Sequence, residues 1–209
     1  TCILSMTWLC ASQALAATDN AQPSQCMAIA QTLPESLNAV VIPAAFSFGT
    51  ASPSEEVTIT YAGHSTYVIE TPGGVRIATD FSGFHGANPV PRVITMNKAH
   101  SSHFTLAPDA AIEHVLRGWD PSGAPARHQL VVDDVYIRNV TTDIRAGGGM
   151  EADGNSIFIF EVADLCIGHL GHLHHMLDGS DYAAIGRLDI IMVPVDGGLT
   201  LSQKGMADI

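Results

Sequence analysis

Two histidine-rich segments, each directly after a short apolar run, place the strongest constraint on how this chain folds. They lie in residues 94–103 and 167–175. Histidine is the commonest metal ligand, and its imidazole is often neutral at pH 7. A fold that brings the two segments together would build a metal site on a rigid frame of strands, and we predict such a site. The segments hold six of the ten histidines: His100, His103, His169, His172, His174 and His175.

Strand patterns separated by turn signals fill most of the remaining sequence and indicate a sheet-rich, layered α/β protein. Residues 108–117 have apolar side chains at helical spacing and predict a helix. Thr200 to Gln203 fits a capping box and predicts the start of another helix. The four glycines in residues 145–155 predict a mobile loop. Strands are predicted at residues 57–61, 66–70, 75–79, 92–96, 129–133, 135–140, 156–162, 165–167 and 188–194, with a short helix at 180–186.

Composition narrows the range of partners. The chain is 46% hydrophobic and only 14% charged, which provides for a packed core and argues against disorder. Its net charge of −12 repels phosphate backbones, so nucleic-acid binding is not expected. No apolar run is long enough for a membrane span. We therefore expect a small-molecule substrate.

The N-terminal region indicates where the main domain begins and in which cellular compartment the protein works. Residues 1–17 contain an apolar run followed by small residues and read as the remnant of a signal peptide, which predicts a periplasmic or secreted protein. The alternative is a short buried helix. Residues 18–56 are predicted to be an extension or linker, and 57–209 the main domain. Cys26 and Cys166 could form a disulfide if the protein is exported; otherwise Cys166 is a small core residue.

An ordered set of motifs in the main domain resembles the metallo-β-lactamase-fold hydrolases, and most closely the branch with a Gly-His-Ala/Ser-Thr turn. The resemblance implies an αββα sandwich, in which two mixed β-sheets face each other with helices outside and metal lies at their shared edge. It also implies that the family's last ligand histidine would lie beyond Ile209. The motifs are Gly63-His64-Ser65-Thr66, the strand ending in Asp80, the first histidine segment, His169-Leu170-Gly171 and the segment from Val193 to Gly197.

Carried over residue by residue, the resemblance implies a metal site made of histidines from both segments. His100, His103 and His169 match the family's ligands. His172 takes the position of the bridging aspartate and is a substitute of a different type. Four imidazoles, or three and a water, satisfy a tetrahedral zinc ion, although copper, nickel or iron would also suit an all-imidazole site.

The chain departs from the family at two further positions. The family's first loop usually reads His-x-His-x-Asp-His, and here Lys98 and Ser102 replace the first His and the Asp. Loss of carboxylates removes negative charge, which weakens a second divalent ion most. One zinc ion is therefore expected rather than two.

Several nearby residues have roles that the sequence leaves open. His64 could orient a ligand or make a structural hydrogen bond, and Asp80 could hydrogen-bond a ligand histidine or cap its loop. Lys98 could hold an anionic substrate or stabilise an oxyanion. His174 and His175 are adjacent, so at most one of them faces the metal, and His174 is kept as a candidate.

The function that the resemblance implies is hydrolysis of an ester, an amide or a phosphodiester by metal-bound hydroxide. The main alternative is a non-catalytic metal-binding protein on the same fold, which has lost its two-metal chemistry with the missing carboxylates. A third possibility is a partner-binding domain without metal, in which His100 and His103 are only a hydrogen-bonded pair in a loop.

Overall fold

A computed structural model of the protein describes residues 24–27, 56–146, 148–196 and 198–209. The signal-peptide prediction and most of the predicted linker lie outside these residues. None of the described helices is long and apolar enough to cross a membrane. The strands are β1 (Thr58–Gly63), β2 (Thr66–Glu70), β3 (Arg76–Ala78), β4 (Val93–Met96), β5 (His114–Arg117), β6 (Gln129–Val132), β7 (Val135–Ala146), β8 (Gly149–Val162), β9 (Leu165–His169) and β10 (Ile190–Met192). The helices are α1 (Gly179–Ile185) and α2 (Gln203–Ala207).

The strands form two mixed sheets of five. The first has the order β1-β2-β3-β4-β5, and its first three strands are antiparallel whereas β3, β4 and β5 run parallel. The second has the order β10-β9-β8-β7-β6, in which only β10 and β9 are parallel. The predicted sandwich of two mixed sheets is confirmed, and in the described residues its outer layers contain two short helices.

Side-chain alternation along β8 shows how the layers are built. Phe158 and Phe160 point into the core between the sheets, where they meet Ile77 of the first sheet. The intervening Ile157 and Ile159 point to the opposite face and pack under the helices and the second histidine segment. Because successive strand residues face opposite ways, a strand that is apolar at every position must be buried on both sides. This double burial makes β8 the central support of the second sheet.

The helix predicted at residues 108–117 is wrong. The segment turns at Asp109, whose carboxylate accepts the backbone N–H of Ala111 at 2.9 Å, and then enters β5. Leu116 packs into the core between the sheets while Val115 packs on the outer face of the first sheet. Pairing with the fully buried β4 therefore outweighs the local helical spacing.

The glycine-rich loop predicted at residues 145–155 is also wrong, because β7 and β8 continue through it as one long hairpin. The pairing shifts register between Thr142 and Ile144. A β-carbon on Gly154 would lie 2.1 Å from the Ile144 side chain, so only glycine fits there. This glycine serves close packing at an irregular point of the sheet rather than mobility.

The predicted helices near the end of the chain are present with small changes. Helix α1 begins after Asp178 with a capping box in which Asp178 and Asp181 each bond the other's backbone. Helix α2 begins after Ser202, whose hydroxyl accepts the N–H of Gly205, rather than after the predicted cap at Thr200. Its short length makes it dependent on Met206, which is buried against the second sheet.

The short described N-terminal segment is fastened to the second sheet. Cys26 and Cys166 form a disulfide, which answers the alternative that the sequence left open. Ser24 donates a hydrogen bond to Glu161 at 2.5 Å, and the same carboxylate forms a buried ion pair with Arg138 at 2.8 Å. A disulfide to β9 and a hydrogen bond to β8 thus hold this segment against the second sheet.

Burial of the inward face of β8 predicts that two Phe→Ala substitutions, one buried and one exposed, lower the free energy of unfolding by very different amounts. We expect Phe160→Ala to lower the free energy of unfolding by about 3–5 kcal/mol, because it opens a cavity between the sheets. Phe84→Ala removes a side chain that is 58% exposed and should change that free energy by no more than about 0.5 kcal/mol. Urea unfolding followed by circular dichroism measures both. Equal losses in the two variants would contradict this core.

Candidate metal centre

Three loops at one edge of the sandwich carry the histidines. The loop after β4 brings His100 and His103, and the end of β9 with the following turn brings His169 and His172. The tight turn between β1 and β2 places His64 beside them in a left-handed backbone conformation, with φ of 51°. The two histidine segments, distant in sequence, therefore meet in space.

His64, His100 and His103 form the tightest group. Each can offer one ring nitrogen such that all three atoms lie within 4.8 Å of one another. The ring centroids are 4.6 Å apart for His100 and His103, 5.1 Å for His64 and His103, and 6.0 Å for His64 and His100. His64, which the sequence suggested only as a supporting residue, thus lies in the group best placed to hold an ion. Its position after Gly63 in a strand turn was the signal available in the sequence.

His172 and His169 flank this group from the second segment. The ring of His172 lies 4.7 Å from that of His103 and 5.2 Å from that of His100, measured between centroids. His169 is buried and lines the same cavity as His64, His100 and His103. The predicted histidines therefore share one site, whichever of them bind an ion.

Asp80 fixes the orientation of His103. Its carboxylate is fully buried and accepts hydrogen bonds from His103 Nδ1 at 2.7 Å and from Asn97 Nδ2 at 2.8 Å. Burial alone would raise the pKa of Asp80, but the His103 bond and the nearby His169 outweigh it and hold the pKa below its usual value. An ionised carboxylate only accepts hydrogen bonds, so Nδ1 of His103 carries the proton and Nε2 presents a lone pair to the site.

Ser102 connects the two exposed members of the group. Its hydroxyl oxygen lies 2.6 Å from Nδ1 of His100 and 2.9 Å from Nε2 of His64. A hydroxyl oxygen has two lone pairs and can accept from both rings. In that arrangement the other nitrogen of each ring is unprotonated. Ser102 stands where the family has an aspartate, and here it orients two rings without adding a charge.

In the second histidine segment, hydrogen bonds place the ring protons on Nε2, whereas in His103 the proton is on Nδ1. Nδ1 of His174 accepts the backbone N–H of Arg145 at 3.2 Å, so its Nε2 carries the proton and donates to Nδ1 of His172, also at 3.2 Å. Neutral His172 then carries its own proton on Nε2. Nδ1 of His169 accepts the N–H of Gly171 at 3.2 Å, which likewise leaves a proton on Nε2. In this network the Nε2 atoms of His169 and His172 carry the protons, and the backbone carbonyl of Ser65 accepts from the His169 ring, whereas His103 presents a lone pair.

Burial keeps several of these rings neutral at pH 7. It lowers the pKa of His172 to about 4, with help from the neighbouring His103. Burial also lowers the pKa values of His100, His169 and His174. Neutral imidazole is the form that binds metal, so the site does not require prior loss of a charge.

Lys98 and His175 are directed elsewhere. Lys98 forms an ion pair with Glu151 on the β7–β8 hairpin and is absent from the cavity lining. Contact of Lys98 with an anionic substrate stays a prediction. His175 is half-buried, and its Nε2 accepts the N–H of Asp143 while its Nδ1 meets the Met176 carbonyl. Of the adjacent pair only His174 faces the site, as predicted for at most one of them.

A cavity of about 430 Å³ opens beside the histidines. Tyr61 and Tyr67 form one aromatic part of its lining, with ring centroids 5.3 Å apart. The segment after β10 contributes apolar side chains and Asp196. Burial would raise the pKa of Asp196, but the backbone N–H groups of residues 198–200 lower it to about 2. The sequence analysis named neither the tyrosines nor Asp196 as site residues.

Comparisons with known proteins agree with this arrangement. A family model for the beta-lactamase superfamily domain matches residues 58–209. A solved structure from Thermotoga maritima, inferred to be a Zn-dependent hydrolase of the metallo-β-lactamase superfamily, is 26% identical, with a TM-score of 0.50 over 73% of this chain and 69% of that chain. A second, from Parabacteroides distasonis ATCC 8503 and inferred to be a metal-dependent hydrolase, is 14% identical, with a TM-score of 0.54 over 73% and 76% of the two chains, and shows the fold alone. No curated protein matches the chain.

Substitution of Gly171 tests how tightly the second histidine segment is packed. Its φ is +59°, and a β-carbon there would lie 2.3 Å from Asn97 Nδ2 and 2.6 Å from Asn155 Oδ1. These amides hold Asp80 and the backbone of His172. We expect Gly171→Ala to lower the free energy of unfolding by about 2 kcal/mol more than the control described next, because the asparagines must move.

Gly74→Ala is the matched control, since Gly74 also has a positive φ, +83°, but no atom within 4 Å of the added β-carbon. It should cost about 1–2 kcal/mol from backbone strain alone. Thermal and urea unfolding of both variants give the comparison. If they lose the same stability, the close packing around Gly171 is refuted.

Proposed function

Because the chain belongs to the metallo-β-lactamase superfamily, we propose that it is a metal-dependent hydrolase that holds one ion, zinc, between His64, His100 and His103. The observation that carries the proposal is the approach of three imidazole nitrogens to within 4.8 Å of one another at the mouth of a cavity. Three protein ligands are typical of catalytic zinc, because they leave one position open.

The donor set fits such an ion. Zinc–nitrogen bonds of about 2.0–2.1 Å require ligand nitrogens closer together than 4.8 Å, so the exposed rings of His64 and His100, which Ser102 holds here, would move inward to bind the ion. His103 is already fixed by Asp80. A rigid buried ligand with two adjustable ones is a geometry into which a metal can enter from solvent.

This ligand set differs from the one that the sequence suggested. His100 and His103 are kept, and His64 replaces His169 and His172. The reason is the hydrogen bonding of the second segment, in which Nδ1 of His169 and of His172 each accepts a hydrogen bond and the proton is on Nε2, so neither ring has a free lone pair. Ligation by His169 stays a prediction, and the experiment below tests it against ligation by His64.

A bound zinc ion lowers the pKa of its water to about 7 and so supplies a nucleophile at neutral pH. The chain's own residues perform the remaining tasks. Asp80 keeps the lone pair of His103 Nε2 directed at the ion. The Nε2–H group of His172, whose ring centroid lies 4.7 Å from that of His103, could stabilise negative charge on a substrate oxygen. The reaction proposed is hydrolysis of a small ester or amide within the cavity.

The replacement of the family's carboxylate ligands by neutral residues favours a single ion. Ser102 and His172 stand where the superfamily pattern has carboxylates, so the shell contains only neutral groups. The same observation supports a second candidate function, metal binding without catalysis. The two candidates differ in turnover alone, because both require stoichiometric metal.

We also propose that the protein works in an oxidising compartment, the periplasm or outside the cell. The disulfide between Cys26 and Cys166 supports this, since such bonds persist mainly in exported proteins. The disulfide joins residues 140 positions apart in the sequence. A covalent link that closes so long a loop removes more conformational entropy from the unfolded chain than one that closes a short loop.

Substitution of single histidines tests the ligand set. Zinc affinity, measured by competition with a chromogenic chelator, should fall by more than about tenfold in His64→Ala, His100→Ala and His103→Ala. His114→Ala, on strand β5 outside the cavity lining, is the control and should bind like the parent protein. Circular dichroism checks that each variant is folded.

His169→Ala decides between the two ligand sets. We expect it to bind zinc within about tenfold of the parent, because its ring acts as a hydrogen-bond donor. A loss in His169→Ala as great as that in His103→Ala, together with unchanged affinity in His64→Ala, would restore the set suggested by the sequence.

Metal removal tests the activity itself. The zinc-loaded protein should hydrolyse at least one member of a panel of uncharged aryl esters and anilides. Dialysis against chelator should abolish turnover, and one equivalent of zinc should restore it. Tight stoichiometric zinc without turnover on any substrate would reject the hydrolase and favour the metal-binding alternative.

A further inference from the structure

The charge of the cavity lining points to a substrate class. Of the described lining residues, Asp196 is the one with a full charge at pH 7, and neither lysine nor arginine is among them. Lys98 is paired with Glu151, and Arg145 lies beyond His174. An anionic substrate would therefore find no cationic side chain in the lining, and it would meet a carboxylate.

A bound zinc ion would not make the cavity positively charged. With three neutral imidazoles the ligand shell adds no charge to a divalent cation. The carboxylates of Asp80, behind His103, and Asp196, in the cavity lining, balance its two positive charges. The loaded site is then nearly neutral, inside a protein whose net charge is −12. Long-range attraction consequently favours cations over anions.

The remaining lining suits an apolar body. Tyr61 is 61% exposed and lies beside Tyr67, while Val195 and Leu199 expose 66% and 61% of their surface. Such exposure of large apolar side chains beside a cavity indicates a ligand contact. Aromatic faces together with a carboxylate are the two groups that recognise organic cations, through cation–π attraction and ion pairing.

Resting on the hydrolase proposed above, we propose that the cavity selects esters or amides in which an apolar or aromatic group also carries an ammonium group. It discriminates against anionic substrates. Asp196 and Tyr61 are the residues that determine this specificity. Phosphodiesters, which the sequence left open, are then poor substrates.

The test is a binding measurement that needs no turnover. The probes are 2-phenylethylammonium, 2-phenylethanol and 2-phenylethanesulfonate, which share the phenylethyl body and end in a cationic, a neutral and an anionic group. Dissociation constants are measured by calorimetry or NMR on the full chain, with zinc and after its removal, at physiological salt. We expect the ammonium probe to bind at least about threefold more tightly than the alcohol, and the sulfonate more weakly than either.

Two variants assign the effect to the cavity. Asp196→Asn keeps the oxygen that accepts the N–H groups of residues 198–200, and it should bring the ammonium probe to within about twofold of the alcohol. Tyr61→Leu should weaken the ammonium probe about two- to fivefold and the alcohol less. Glu56→Gln removes an equal charge, and Tyr182→Leu a similar ring, from exposed positions outside the lining, and neither should change the order.

Sulfonate binding as tight as ammonium binding, no binding of any probe, or an unchanged preference in both Asp196→Asn and Tyr61→Leu would overturn the proposal. A preference for the ammonium probe in a protein that hydrolyses nothing would reject the hydrolase while leaving the cation site intact. The two proposals can thus fail separately.

Discussion

The buried hydrogen bond between Asp80 and His103 is the interaction on which the site depends. Asn97 extends it across the sandwich, because its Nδ2 donates to Asp80 and its Oδ1 accepts the backbone N–H of Ser156 on β8 at 2.7 Å. A carboxylate without exposure to water is costly unless each lone pair is used. The same bonds therefore join the two sheets and orient the ring of His103. Stability and site geometry have a common origin here.

The site is built from neutral groups, and its properties follow from that. His172, kept uncharged by burial, can lie close to His103 without the repulsion that two carboxylates would suffer. Imidazoles supply lone pairs for one ion but little charge to hold a second. Hydrogen bonds then divide the rings: Nε2 of His103 keeps a lone pair, whereas Nε2 of His169 and of His172 carries a proton. One residue type thus provides both ligands and donors.

Periodicity was enough to predict most of the strands and a layered α/β protein, the resemblance to a known family implied the two mixed sheets, and the paired histidine segments predicted that they would meet. The helix at residues 108–117 was wrong because pairing of β5 with the buried β4 depends on a distant strand. The glycine loop was wrong because Gly154 packs against Ile144 across a hairpin. His64 was not predicted as a ligand, since only the folded chain shows its ring beside His100. Ring polarity likewise depends on hydrogen-bond partners, such as the N–H of Arg145, that sequence spacing does not specify.

These features make the location of the ion the central claim. Anomalous diffraction at the zinc edge, from crystals of the full chain grown with zinc, would locate it directly. We expect a single peak within bonding distance, about 2.0–2.1 Å, of ring nitrogens of His64, His100 and His103. A peak bound by His169 and His172, or two peaks bridged by one ligand, would contradict the account.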